Sequence, residues 1–270
     1  MKKSTAVFLI LTLLILGLLE IPQYVQYQKE QSEIKSVISS GLVFYSPDEI
    51  KNLPLDSYLM FREVAKHLNM DIPSRENTYD NNPFIRFLNK GKYIASLKFS
   101  KSEDDSYKIN PEYEFALEYR LDGIVLKALY CDVVGYNDED FSILQTLNHG
   151  DGSYEDTHFL LSLLFLKING CYDRNKIEKS ITEATGSIIN AEENDTSFSD
   201  LYAERIVMLY WAGYGRSVEG TWIDTVKNNF TNDPGWRINK FLLFSDSHPT
   251  GLALLSLIYY LEGKPQQSFY

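Results

Sequence analysis

The sequence predicts a mainly α-helical fold, an array of inner and outer helices behind an N-terminal membrane-anchor helix. Three observations predict it. Four apolar runs of helical length, roughly Tyr113–Val134, Asp156–Asn169, Ser199–Ala212 and Pro249–Leu261, stop at Gly135, Gly170, Gly213 and Gly263. Glycine just past a helix is the usual left-handed stop. Shorter, more polar amphipathic runs lie between them at Asp138–Leu147, Asn175–Ile189 and Trp222–Phe230. Alternating buried and half-exposed helices are what a helical array needs, because no single unit can bury its apolar face alone. The third observation is the N-terminus, where Lys2 and Lys3 precede the uncharged run Ser4–Leu19.

Basic residues ahead of an apolar core mark an export or insertion signal and leave the N-terminus cytoplasmic. The run is short for a spanning helix, which takes about 20 residues, but both lysines can snorkel and Ile21 extends the apolar face. No small-residue cleavage pattern follows it, so the expectation is an uncleaved signal anchor, with secretion after cleavage as the alternative. Either way the rest of the chain lies outside the cytoplasm. The sequence divides into the anchor at 1–22, a stalk and loop at 23–54, a helical and irregular part at 55–112, and the repeat domain at 113–270.

Within the second and third parts, the polar stretch after Pro22 reads as a helical or extended stalk. Gly41, Pro47 and Pro54 break the next stretch into loops. From Leu55, apolar residues at Leu59, Phe61, Val64, Ala65 and Leu68 keep a period near 3.6 and predict a helix. A loop follows at Asp71–Asn82. The segment KYIASLKFS has strand character, and KSEDDSYK after it reads as a solvated turn.

Composition excludes one class of partner. Thirty-seven acidic against 26 basic residues leave a net charge of −11, with no basic stripe, so nothing offsets phosphate repulsion and nucleic acid is set aside. Cys131 and Cys171 each follow an apolar helical run, in a compartment where disulfides persist. If those helices are parallel neighbours the sulfurs can meet; otherwise both are small buried residues. Two cysteines alone make no metal site. With no P-loop, dinucleotide fingerprint, EF-hand loop or nucleophile elbow in the sequence, neither a cofactor nor a metal is expected. Two glycosylation sequons, at Asn194 and Asn229, matter only in a eukaryotic secretory pathway.

The densest stretch is DGSYEDTHFLLSLLFLKINGCYD, Asp151–Asp173. It resembles an inner helix of the α/α-toroid class, the fold of terpenoid cyclases and protein prenyltransferase β subunits, whose repeats carry an aromatic turn, a DTA-like helix and a closing glycine. The turn NDPGW at Asn232–Trp236 and the run HPTGLALLSLIYYLEG at His248–Gly263 are similar to the same unit. The resemblance covers about 113–264 and implies a partial α/α toroid. In cyclases of this class the middle Asp of D-x-D-D-T protonates an alkene. Laid on this chain, that motif falls on Ser153, Tyr154, Glu155, Asp156 and Thr157, of which only Asp156 and Thr157 match. The zinc site of the prenyltransferases needs Asp, Cys and His, and its D-x-C order is absent here.

These residues carry two readings. In the chemical one, Glu155 and Asp156 act as acid and base, assisted by His158 or His248. In the structural one, Asp151, Glu155 and Asp156 cap a helix N-terminus and favour its dipole, with Ser153 or Asp156 as N-cap, and His248 is a neighbour of the Pro249 helix start. Trp211, Tyr214, Trp222 and Trp236 line a pocket for a glycan, peptide or lipid, or pack between repeats. The expected function is a membrane-anchored, extracytoplasmic binding or scaffolding module at the cell envelope. The alternative is a cyclase-, lyase- or hydrolase-like enzyme using the acids at an inner-helix N-terminus.

Overall fold

The computed structural model describes residues 24–72, 74–80, 82–92, 97–101, 107–109, 120–231, 233–238 and 244–263. The apolar N-terminal run, the 113–119 part of the first expected repeat helix, and Asn232 lie outside them. Among the described residues the fold is mainly helical, and no helix is long and apolar enough to cross a membrane.

Helix α1 covers 24–41 of the expected stalk and buries Ile34 and Ile38, one turn apart. It is docked rather than free: Tyr260 donates to Glu30 at 3.2 Å and Lys227 pairs with Glu33 at 3.2 Å. Ser46 caps α2 (Pro47–Asn52) by accepting from the Glu49 amide, and Pro47 supplies a preset first turn. Helix α3 (Leu55–His67) follows the period read from the sequence, and the short α4 is Ile85–Leu88.

Of the segment with strand character, residues 93–96 lie outside the described residues, and its end forms β1 (Phe99–Lys101). β1 pairs antiparallel with β2 (Tyr107–Ile109), with Ser100 opposite Lys108. β2 takes up the end of the stretch expected to be a turn.

The long helix expected before Gly135 is two pieces, α5 (Arg120–Leu129) and α6 (Cys131–Val134), broken at Tyr130. A capping box between Asn137 and Asp140 starts α7 (Asp138–Gln145). Then come α8 (Tyr154–Asn169), α9 (Arg174–Asn194), α10 (Asp200–Trp211), α11 (Gly220–Asn228) and α12 (Ser247–Glu262). Gly170 and Gly263 close α8 and α12 in the left-handed region, with φ of 66° and 62°.

Burial sorts these helices into two sets. α8, α10 and α12 are apolar nearly all round and bury most of their side chains, the signature of a helix enclosed by others. α9 buries one stripe, Ile177, Ile181, Ala184 and Ile188, and α11 buries Trp222, Ile223 and Val226. Packing runs α5, α8, α10, α12, α3 side by side, with α9 against α8 and α10, and α11 against α12. Five inner helices thus surround a common space, and α3 reaches its place beside α12 from the far end of the chain.

A disulfide joins Cys131 to Cys171, with Cα atoms 5.9 Å apart. It ties the start of α6 to the residue after the Gly170 stop. Closing a loop of 40 residues contributes about 4 kcal/mol on the chain-entropy account.

Candidate functional site

The space between the inner helices is a cavity of about 600 Å³. Its two ends differ because of where each side chain falls along its helix. Most polar lining groups come from the first residues of the inner helices: Asp56 on α3, Asp122 on α5, Tyr154 and His158 on α8, Asp200 and Glu204 on α10, and His248 on α12; Tyr79 and Asn82 add to them from the segment before α4. Further along the same helices the lining turns apolar, with Met60, Leu161, Val207, Met208, Trp211 and Leu252. Phe84 and Phe87 add aromatic wall from around α4.

At the polar end the helix starts converge. His248 Nδ1 faces Asp56 Oδ2 at 3.2 Å, an ion-pair contact off the hydrogen-bond line, and its Nε2 lies 3.9 Å from Asp200 Oδ2. The Tyr154 hydroxyl donates to that same Asp200 oxygen at 3.1 Å. Glu204, one turn after Asp200, accepts from Thr157 Oγ1 at 2.5 Å and lies 3.6 Å from His158 Nδ1. His158 Nδ1 also meets the Tyr154 carbonyl at 2.7 Å, which fixes the ring's orientation.

Electrostatics follow from this crowding. Burial alone would lower the His248 pKa, but the carboxylates of Asp56, Asp200 and Glu204 outweigh it and push it up to about 9. Asp56 shows the reciprocal effect: burial raises it, yet the His248 cation beside it leaves it below the usual carboxylate range. Asp200 moves the other way. Burial, with Glu204 and Asp246 nearby, raises its pKa despite the opposing pull of His248 and Tyr154. Burial beside Asp200 and Glu204 holds the Tyr154 phenol well above its ordinary range, so it stays a neutral donor. The chemistry available is proton exchange between a buried carboxyl and an imidazole, or capture of a cation. One carboxylate oxygen each from Asp200 and Glu204 and one ring nitrogen of His248 lie within 4.8 Å of one another. A second trio, Cys131, Asp132 and Cys171, is closed to metal because its sulfurs form the disulfide.

The acids singled out in the sequence sit elsewhere. Asp156 is fully buried, and its carboxylate is consumed by the preceding loop. Oδ1 accepts from the amides of His149 and Gly150, and Oδ2 from those of Asp151 and Gly152, at 2.6 to 3.1 Å. Four charge-assisted bonds leave it no free lone pair for acid–base work, so Asp156 is a loop anchor. Glu155, next in sequence, is half-buried and does not line the cavity. His158 and His248 both line it.

Of the four aromatics, only Trp211 lines the cavity, its Nε1 donating to the Tyr259 hydroxyl at 3.1 Å. Trp236 is fully buried with its Nε1 on the Val226 carbonyl at 2.7 Å, and Trp222 is buried on the inward stripe of α11. Tyr214, half-buried, bonds Thr182 on α9. These three are packing residues.

Asp56, Asp200 and Glu204 were missed by the sequence reading. One signal pointed to the latter two: charges one turn apart at the head of DLYAERIVMLYW, an otherwise apolar inner helix. Compared with family models, with curated proteins and with solved structures, the chain matches none.

Proposed function

We propose that this is a membrane-tethered, extracytoplasmic binding protein of α/α-toroid type, whose central cavity takes up a small amphiphile. One observation carries the ligand class. The cavity is divided along the helix axes into an apolar, aromatic end and a polar end with Asp56, Asp200, Glu204, His158 and His248, to which Asp122 adds a further lining acid. A glycan wants hydrogen-bonding groups throughout its site; a lipid-like body with one polar head suits this division. The disulfide supports the extracytoplasmic assignment, since such bonds persist in oxidising compartments, and the Lys2, Lys3 and Ser4–Leu19 pattern supports the tether.

Trp211 provides the test. With the full-length chain, a brominated medium-chain amphiphile should quench tryptophan emission saturably, and Trp211→Phe should remove that saturable component. Linear quenching, or saturable quenching undiminished in Trp211→Phe, overturns the reading.

The raised pKa of Asp200 beside Glu204 and His248 favours a second reading, an enzyme that transfers protons at the same polar end. Its acids are those of α10, not Glu155 and Asp156. Turnover of chromogenic esters or glycosides that Asp200→Asn abolishes supports it; turnover unchanged in that variant sinks it.

A further inference from the structure

We infer that Asp200, Glu204 and His248 form a binding site for a divalent first-row transition ion, with Zn²⁺ as the natural probe. The ligand atoms come from two helices packed side by side, α10 and α12, and all lie within 4.8 Å of one another. Ligands about 2.0–2.2 Å from a tetrahedral ion are roughly 3.4 Å apart. The 3.9 Å between His248 Nε2 and Asp200 Oδ2 is therefore within a small side-chain adjustment of that geometry.

A second observation points to a missing partner. Asp200 is 8% exposed, and its Oδ1 is buried with no hydrogen-bond partner although the side chain lines the cavity. Buried carboxylate oxygens are rarely left so; Oδ2, which faces His248, already accepts from Tyr154, and a cation held by both oxygens of Asp200 satisfies Oδ1 as well.

The surroundings are those of a metal site. Each ligand has a polar neighbour behind it: Asp56 Oδ2 in ion-pair contact with His248 Nδ1 at 3.2 Å, Tyr154 hydrogen-bonded to Asp200 at 3.1 Å, and Thr157 hydrogen-bonded to Glu204 at 2.5 Å. A carboxylate behind the distal nitrogen of a ligating histidine is the usual device for fixing its ring and raising its basicity. Two carboxylates and one imidazole, without sulfur, suit Zn²⁺, Mn²⁺ or Fe²⁺; imidazole disfavours Mg²⁺. Three protein ligands leave a position open toward the cavity, as in sites that receive a substrate or ligand oxygen.

The inference deepens the amphiphile reading, because the open position is where an oxygen-bearing head would bind. Its test nevertheless needs no amphiphile. The full-length, tag-free chain is stripped with a chelator, then titrated with Zn²⁺ against a chromogenic competitor, and dialysed samples are analysed for bound metal. One Zn²⁺ per chain is expected, with Mg²⁺ unable to displace it. Asp200→Asn and His248→Gln should each weaken binding by more than about 100-fold, and Asp56→Asn by about 10- to 100-fold. Glu155→Gln should leave affinity unchanged, and circular dichroism checks that each variant is folded. Co²⁺ loaded in place of Zn²⁺ should give ligand-field bands that change in folded Glu204→Gln. Absence of stoichiometric Zn²⁺, or binding unchanged in folded Asp200→Asn and His248→Gln, overturns the inference. Neither result bears on Trp211 quenching, so the two readings fail separately.

Discussion

Helices α8 and α10 both line the cavity and both carry an aspartate in the first turn, yet the two carboxylates have opposite fates. Asp156 is surrounded by four amides of the loop before α8. Asp200 has one phenol on one oxygen and nothing on the other. The difference lies in the backbone ahead of each helix. Gly150 and Gly152, with φ of 74° and 71°, curl the first loop so that consecutive N–H groups point inward at Asp156. Ser199 caps α10 itself, accepting from the Tyr202 amide, which relieves Asp200 of capping. A buried carboxylate is structural where the backbone saturates it and available where the backbone does not.

The contrast breaks most forcefully at Asp156. Asp156→Asn turns an amide group toward two amide donors and should cost about 4 kcal/mol in denaturant unfolding. Gly152→Ala attacks the same loop from the other side. Its Cβ would meet Ala191 Cβ at 2.3 Å at a positive φ, for a loss of about 3 kcal/mol.

The loop and α10 are joined by Arg205, which donates to the Gly152 carbonyl at 2.6 Å, pairs with Asp195 at 3.1 Å and donates to Glu192 at 3.5 Å. Glu192 is fully buried with one oxygen unpartnered, and burial, against the pull of Arg205, raises its pKa from 4.5 to about 9. Between those values the unfolded chain has released a proton that the folded chain keeps. Glu192 therefore makes stability fall as pH rises from about 4.5 to 9, by up to about 1 kcal/mol per pH unit. Glu192→Gln should flatten that slope in unfolding curves taken across the window.

Asp200→Asn should do the reverse of Asp156→Asn. Measured in chelator at neutral pH, stability should hold or rise by up to about 1 kcal/mol, because burial already disfavours the charged form. A large loss there would mean that Asp200 is structural after all. Smallest of all, Glu155→Gln should stay within about 0.5 kcal/mol, although it adjoins the most sensitive position.

Much of the fold was legible because its signals are local. The period of Leu55–Leu68, the glycine stops at Gly170 and Gly263, and the alternation of α8 to α12 depend on neighbours a turn or two apart. The break at Tyr130 and the pairing of β2 were not legible, since tertiary packing overrides propensity there. The site was half legible. His158 and His248 stood out as rare residues at helix starts, but Asp56 joins them only because α3 packs on α12, a contact between distant parts of the chain. The role of Asp156 was hidden for another reason: its partners are main-chain amides, which every residue has and no motif announces.

The meeting of α3 and α12 also sets a schedule. Tyr45 reaches the Ser247 carbonyl at 2.8 Å, Ser247 reaches Ser57 at 2.9 Å, and His67 reaches Glu262 at 2.8 Å. All bridge about 200 residues, so this seam is expensive in loop closure and forms slowly. During synthesis the early helices must wait, with an apolar flank of α3 uncovered, until α12 emerges. In that interval the polypeptide is vulnerable to proteases and to self-association, and His248 has yet to reach the acids that await it.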